Sequence, residues 1–138
     1  MVELQRRFPA RPQRISEIRH FIRDGCRKVW SESSDDSAIS QMELAASEAA
    51  SNIILHGLDE QLNATIQLDL KVDSDQASVA LLYPGCEFRP QAVPPPDFTG
   101  HAESGYGLYL IQQSVDEVPF SRDDTGLCTI RLTKNRRR

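Results

Sequence analysis

The segment ATIQLDLKVD, residues 64–73, alternates between apolar and polar side chains, and it constrains the fold more than any other stretch of the chain. Its apolar members are Ile66, Leu68, Leu70 and Val72. Because successive side chains of a strand point to opposite faces, the alternation predicts a strand with one buried and one solvated face. A short SDQ turn leads into ASVALLY, a second predicted strand, so the two segments predict an antiparallel hairpin.

A segment with helical periodicity comes early in the chain, after a short strand-like piece that stops at Pro9 and Pro12. Its apolar stripe consists of Ile15, Ile18, Ile22, Cys26 and Val29. Residues recurring at this spacing lie on one side of a helix, so the segment predicts an amphipathic helix whose apolar side packs on the sheet.

A second helix is predicted from about Ala38 to His56, after a break rich in Ser and Asp whose side chains can cap its first turn. On a helical wheel its apolar residues fall on one arc, the side expected to pack on the core. The members of this arc are Met42, Ala46, Ala49, Ala50, Ile53 and Ile54. Glu48 and Asn52 lie opposite the arc.

The second half of the chain is less regular. No regular structure is predicted across the proline-rich stretch from Pro84 to Ser104. The segment GYGLYLIQQSVDEV then predicts a helix, and two strands around an Asp-Thr-Gly turn predict a final hairpin. Residues 1–134 are expected to form one domain. Residues 135–138, an asparagine and three arginines, follow as a basic tail that is either solvated or an anchor for an acidic partner.

Length and composition narrow the class of protein. A chain of 138 residues suffices for one ordinary domain, and its apolar runs are too short to cross a membrane. The net charge of −4 argues against general nucleic-acid binding. The N-terminal segment lacks the apolar stretch of a secretory signal, so the cytoplasm is the expected location. Three scattered cysteines are interpreted as reduced thiols.

Two short patterns can carry chemistry. Glu48 and Asn52 are four residues apart, which brings both side chains onto one helix face about one turn apart. Gly105 and Gly107 flank Tyr106 before an apolar helical run, where the free amides of a helix N-terminus can bind a phosphate. Taken alone, each pattern is more typical of a solvated helix face or a simple turn.

The order of these features resembles the small anti-sigma-factor serine/threonine kinases of bacterial partner-switching systems, members of the ATPase superfamily that includes histidine kinases and gyrase. The resemblance is carried by SEAASNIILHG, SGYGLYLIQQSVDEV and CTIRLTK, and it spans nearly the whole chain. It implies an α+β fold, a two-layer α/β sandwich of the Bergerat ATPase type. In that fold a mixed, mainly antiparallel sheet carries helices on one face.

The resemblance also implies roles for individual residues. Glu48 would be the general base for an attacking hydroxyl, and Asn52 would bind the Mg²⁺ ion that bridges the phosphates of ATP. A carboxylate suits proton abstraction, and a neutral amide oxygen suits a hard cation. Thr129 would help to hold the adenine. The segment implied to lie over the triphosphate comprises Gly105, Tyr106, Gly107 and Leu108.

One motif departs from the family pattern. Relatives carry Asp-x-Gly-x-Gly after the second hairpin strand, and its aspartate accepts a hydrogen bond from the adenine amino group. Around Gly85 this chain instead has Tyr83 and Glu87. Losing a charge-assisted hydrogen bond typically costs about 1.5–3 kcal/mol, or roughly tenfold to a hundredfold in affinity. Either the Tyr83 hydroxyl accepts the same hydrogen bond, or its ring fills the adenine pocket.

The implied function is that of a regulatory kinase that binds ATP with Mg²⁺ and phosphorylates a small anti-sigma-factor antagonist. A sigma factor or that antagonist would be the protein partner, without direct nucleic-acid or membrane contact, and pairing as a homodimer is carried over from relatives. The alternative is a non-catalytic protein-binding regulator with a degenerate nucleotide site. A detached histidine-kinase domain is disfavoured because the chain has no pair of acceptor helices.

Overall fold

The computed structural model describes residues 1–57, 64–84 and 120–136. Strand β1 spans Val2–Pro9, helix α1 spans Ile15–Arg27, and helix α2 spans Asp36–Asn52. The later strands are β2 (Thr65–Val72), β3 (Gln76–Pro84), β4 (Phe120–Arg122) and β5 (Leu127–Asn135). Short 3₁₀ turns, Pro12–Arg14 and Ser33–Asp35, precede the two helices, and a π-helical turn, Ile53–Gly57, continues α2.

The described strands form one sheet in the order β1-β2-β3-β5-β4, and every pairing between them is antiparallel. The predicted hairpin is confirmed as β2 and β3, and the final hairpin as β4 and β5. Gly126 closes the final hairpin with a φ of +87°, a left-handed conformation that glycine adopts without steric cost. The α+β sandwich with helices on one face is therefore confirmed.

The core lies between the helices and one face of the sheet. The alternation in β2 has the predicted effect, because Ile66, Leu68, Leu70 and Val72 are all fully buried. Their neighbours in β3 and β5 on the same face are Val79, Leu81, Ile130 and Leu132, also buried. Helix α1 approaches this face closely at Gly25, where a Cβ atom would collide with the side chain of Leu70. Among the described residues, no helix is both long and apolar enough to cross a membrane.

The basic C-terminal residues begin with a buried ion pair. The Arg136 guanidinium donates two hydrogen bonds to the Asp35 carboxylate, at 2.8 and 2.9 Å, and a third to the Ser74 carbonyl at 3.3 Å. The Asp35 and Arg136 side chains are only 1% and 9% exposed. Asp35 also accepts the backbone N–H of Glu32, which fixes the turn before α2. The expectation of a solvated tail therefore does not hold for Arg136.

The cysteines differ from one another. Cys26 is a free thiol in the core, and burial raises its pKa to about 12, so it stays protonated. Cys128 on β5 is disulfide-bonded. The interpretation of all three cysteines as reduced thiols is therefore wrong for Cys128. A scattered cysteine pattern cannot reveal such a bond, because the bond depends on which cysteines folding brings close together, and the spacing along the chain does not contain this.

We predict that Asp35→Ala lowers the free energy of unfolding at pH 7 by about 3 kcal/mol, because it leaves a buried guanidinium without its carboxylate. The hydrogen bonds from Arg136 hold the pKa of Asp35 below its usual value. The stabilisation is therefore fully present above about pH 4 and is lost as the pH falls through the lowered pKa. Urea unfolding followed by fluorescence of the buried Trp30 measures both effects.

The matched control is Glu17→Ala, which breaks an ion pair with Arg14 in which both side chains are largely exposed. It should cost less than about 1 kcal/mol. Equal effects of the two substitutions, or an Asp35→Ala effect that persists at low pH, would contradict the assignment of a buried, stabilising pair.

Candidate functional site

Helix α2 carries the two residues with the clearest chemical potential, and it is buried on more than one side. It packs on β5 and on α1. Small side chains dominate the surfaces in contact, since Ala45, Ala46, Ala49 and Ala50 are fully buried. The many alanines of this helix thus serve close packing. The predicted core arc is buried, apart from Ile54, which is partly exposed and packs against the core.

Asn52 ends α2 where the π-helical turn begins, and its side chain is only 5% exposed. The sequence placed Asn52 on the helix side opposite the core, which predicts an exposed side chain. This prediction is wrong, because the Asn52 side chain is buried. A wheel with a single buried arc fails here because the helix is enclosed by more than the sheet. The Asn52 side-chain nitrogen is buried without a hydrogen-bond partner among the described residues. A buried polar atom without a partner costs stability, which is typical of residues kept for ligand binding.

Glu48 lies one turn before Asn52 on α2 and is partly exposed. The i, i+4 spacing places the two side chains on neighbouring positions of one helix face, as the sequence predicts. A partly exposed carboxylate close to a buried amide can take up a proton from a group that enters from solvent. The pair thus combines a proton acceptor with a neutral oxygen ligand.

A second carboxylate of α2 was missed by the sequence patterns. Glu43 is buried, and Arg23 of α1 donates two hydrogen bonds to it, at 2.9 and 2.8 Å. The Glu43 hydrogen bond raises the pKa of Arg23, so the guanidinium remains charged. The sequence could have indicated this pair, because a carboxylate on the side of α2 that faces α1 requires a positively charged partner from α1. The ion pair joins the two helices, whereas Glu48 stays partly exposed.

The sheet register separates Tyr83 from Thr129. Tyr83 stands opposite Cys128, and both side chains are buried on the helix-covered face. Burial raises the pKa of Tyr83 to about 12, so its hydroxyl stays neutral. Thr129 stands opposite Leu82 on β3 and Ser121 on β4. Because neighbouring residues of a strand point to opposite faces, Thr129 points away from the face that Tyr83 shares with the helices.

The remaining predicted site residues lie outside the described residues. They are Gly85, Gly105, Tyr106, Gly107 and Leu108, together with the departing Glu87. Of the predicted set, the structure thus describes Glu48, Asn52, Tyr83 and Thr129.

The described residues fit the phosphate and metal end of a nucleotide site. The Asn52 side-chain nitrogen is one observation in favour, because this buried N–H donor has no partner among the described residues and suits a phosphate oxygen. The chemistry of Asn52 also fits, because its neutral amide oxygen suits a hard cation. Mg²⁺ commonly binds through one or two protein oxygens together with substrate phosphates, so a single amide ligand is compatible with it.

These features define the class of protein. An antiparallel sheet covered on one face by two helices, with the Glu48–Asn52 pair on the second, is the architecture of an ATPase domain of the histidine-kinase kind. Residues 8–134 match the family model described as histidine kinase-like ATPase domain, and the chain belongs to this family. Comparison with curated protein sequences gives no match.

Solved structures give the same fold. The chain is similar to the structure of the RsbU and RsbW domains of Rv1364c from Mycobacterium tuberculosis, with a TM-score of 0.70 and 17% identity. That match covers 100% of this chain and 34% of the other. The histidine kinase domain of a blue-light activated histidine kinase from Erythrobacter litoralis EL346 matches with a TM-score of 0.51 and 17% identity. It covers 91% of this chain and 61% of the other, so the chain spans less than two thirds of either structure.

We predict that Asn52→Leu, which removes the unpartnered amide at similar volume, reduces the free energy of unfolding by no more than about 0.5 kcal/mol. Asn52→Asp keeps the shape and adds a buried charge, so it should cost at least about 1 kcal/mol without Mg²⁺. Urea unfolding of both variants without nucleotide or metal measures the difference. A large loss of stability in Asn52→Leu would show that the amide supports the fold instead of a ligand.

Proposed function

We propose that this chain is a regulatory serine/threonine protein kinase of the anti-sigma-factor type, which binds ATP with Mg²⁺. Its target would be a serine of a small antagonist protein in a partner-switching system. The observation that carries the proposal is the buried side-chain nitrogen of Asn52, an N–H donor without a partner among the described residues, one turn from the partly exposed carboxylate of Glu48. A donor in this position suits a phosphate oxygen of ATP. Membership of the histidine kinase-like ATPase family supports it.

The roles of the two residues follow from their chemistry. ATP supplies the transferable phosphoryl group, and Mg²⁺ neutralises the charge that develops on the phosphates. The side-chain oxygen of Asn52 holds the metal. Glu48 accepts the proton of the attacking serine hydroxyl, for which its partial exposure suits it because the substrate approaches from solvent. The Arg23–Glu43 pair fixes α2 against α1 and so positions both residues.

The nucleotide-binding residues on the second half of the chain remain part of the proposal. The segment of Gly105, Tyr106, Gly107 and Leu108 would surround the phosphates, and Gly85 would lie near the base. The orientation of Thr129 argues against a side-chain contact to a base on the helix-covered face. We therefore assign Thr129 a backbone role at most.

The output of such a kinase is an exchange of partners. A phosphoserine carries about −1.5 to −2 charges at neutral pH, so phosphorylation of an antagonist at its interface would weaken that interface. Once the phosphorylated antagonist has left, it would no longer compete with the sigma factor, and the sigma factor would then bind the kinase. Both partners are proteins, and the cytoplasm is the compartment in which both meet.

We predict that the purified chain transfers labelled phosphate from ATP and Mg²⁺ to a serine of the antagonist encoded beside it. Glu48→Gln should lower the transfer rate by about 10²–10⁴-fold, because it removes the proton acceptor and keeps the shape. Asn52→Ala should abolish the dependence on Mg²⁺ together with transfer. Glu17→Gln, an exposed carboxylate of α1, is the control and should leave the rate unchanged. Transfer that persists in the Glu48 and Asn52 variants would refute the assigned chemistry.

The second candidate function is a non-catalytic protein-binding regulator that has kept the fold and lost the nucleotide. One observation favours it. Tyr83 replaces the family aspartate and is fully buried at the end of β3. A neutral phenol in this position removes the charge that would accept the adenine amino group.

Calorimetry separates the two candidates. A kinase should give a Mg²⁺-dependent binding heat with ATP, and Asn52→Ala should remove that dependence. A regulator without a nucleotide site should give no heat with ATP and should still bind its protein partner. Glu17→Gln again serves as a control, since it alters charge without touching α2.

A further inference from the structure

Cys128 carries a disulfide bond that the kinase chemistry proposed above does not use. It lies on β5, and its side chain is fully buried on the helix-covered face. The sequence contains three cysteines, and Cys26 is a free thiol in the core. The structure consists of one chain, so Cys86, which lies outside the described residues, is the cysteine left as the partner of Cys128.

The register of β3 and β5 shows what this bond requires of the chain. Cys128 stands opposite Tyr83, one residue before β3 ends at Pro84. If β3 continued in the same register, Cys86 would stand opposite Thr125 and point to the face away from Cys128. A disulfide needs its two Cα atoms within about 7 Å of each other. The bond and a longer β3 therefore exclude each other, and β3 does end at Pro84.

We infer that the disulfide between Cys86 and Cys128 is a redox switch at this end of the sheet. With the bond formed, the chain is tied to β5 directly after β3, and Tyr83 stays fully buried beside Cys128. With the bond reduced, the chain after Pro84 is released from β5, and the end of β3 around Tyr83 gains freedom to open. The output rests on the function proposed above, in which Gly85 lies near the nucleotide base. ATP then binds to the reduced form and is excluded from the oxidised form.

The proposed setting favours a switch over a permanent structural crosslink. Thiols of the cytoplasm, the compartment expected for this kinase, are kept reduced, and disulfides there are usually transient, catalytic or redox-sensing. Permanent disulfides are typical of small secreted domains that cannot build a sufficient core. A chain of 138 residues with two helices packed on a fully buried sheet face has such a core without a crosslink.

The redox step balances with a dithiol as the reductant. A thiolate of the dithiol attacks one sulfur of the bond to form a mixed disulfide, and the second thiol of the reductant then displaces the protein. Two electrons and two protons pass from the dithiol to the protein. The products are two cysteine thiols and an oxidised reductant. Because Cys128 is fully buried, the attack falls on the sulfur of Cys86, and Cys128 is the leaving group.

The switch relates the two candidate functions to each other. The oxidised form corresponds to the non-catalytic regulator, because the buried ring of Tyr83 is held at the proposed base end of the site. The reduced form corresponds to the kinase. Glu48 and Asn52 lie on α2 and are the same in both forms. Oxidation would therefore leave the antagonist unphosphorylated without altering the residues proposed for the chemistry.

The first measurement follows the bond itself in the full chain. Peptide mapping without reductant should find the peptides of Cys86 and Cys128 crosslinked, with Cys26 as the free thiol. Titration with mixtures of reduced and oxidised glutathione should convert this bond to thiols at the poise of the cytoplasm, whereas a structural disulfide resists reduction by glutathione.

The second measurement follows the end of the sheet and involves no nucleotide. Amide hydrogen exchange at Tyr83 and at residues 127–129 should be faster by about tenfold or more in the reduced form, because a crosslink no longer opposes local opening. Exchange between β1 and β2 should be unchanged. Cys128→Ala should exchange fast with or without oxidant. Cys26→Ala, which also removes one buried cysteine, is the matched control and should keep the full redox response.

The third measurement is calorimetry with ATP and Mg²⁺, which reports the output of the switch. The reduced wild-type chain and Cys128→Ala should bind ATP at least about tenfold more tightly than the oxidised wild-type chain. Circular dichroism confirms that each variant is folded. An absence of binding in both forms would refute the proposed nucleotide site, and the bond and exchange measurements alone would then decide the switch.

The results that would overturn the inference are specific. They are a map without a Cys86–Cys128 crosslink, a bond that survives glutathione at the poise of the cytoplasm, and hydrogen exchange at this end of the sheet that is the same in both forms. Equal and measurable affinities for ATP in the two forms would overturn it as well.

Discussion

The structure depends on the burial of one apolar face of the sheet against two helices. The side chains of β2, β3 and β5 on this face are fully removed from water, and at about 25 cal/mol per Å² their burial is the largest favourable contribution to folding. This burial dictates where α1 and α2 lie. Helix α2 is enclosed further because α1 packs beside it, and the Arg23–Glu43 pair joins the two helices. The position of Glu48 and Asn52 follows from these contacts.

The sequence predicts the parts of the fold that depend on local pattern. The alternation from Ile66 to Val72 leads directly to a strand with one buried face, and the turn at Gly126 marks the last hairpin. The helical stripe of α1 likewise matches its buried residues Ile18, Ile22 and Cys26. Such patterns predict burial correctly when a helix or strand has one buried side, which faces the core. The family resemblance supplied the layer arrangement, a mainly antiparallel sheet with helices on one face, which no local pattern contains.

Local patterns failed where a residue contacts a part of the chain other than the core that its own helix or strand faces. Asn52 is buried because α2 is enclosed on several sides, and a helical wheel represents only one. Arg136 looks like part of a charged tail until folding brings Asp35, 101 residues earlier, within hydrogen-bonding distance. The disulfide bond of Cys128 likewise depends on folding and not on the spacing of the cysteines along the chain. For the candidate site, the spacing of Glu48 and Asn52 indicated a function only together with the family resemblance. The opposite orientations of Tyr83 and Thr129 required the register of β3 and β5.

The ion pair of Asp35 and Arg136 has a consequence for how the chain folds during synthesis. Asp35 leads into α2, yet the guanidinium that pairs with it belongs to Arg136, the last residue that the structure describes, which follows β5. A nascent chain on the ribosome that has made α1, α2 and the first hairpin still holds a carboxylate that must stay hydrated. The native packing of the α2 start is thus postponed until translation has passed residue 136, and contacts of such long range fold slowly.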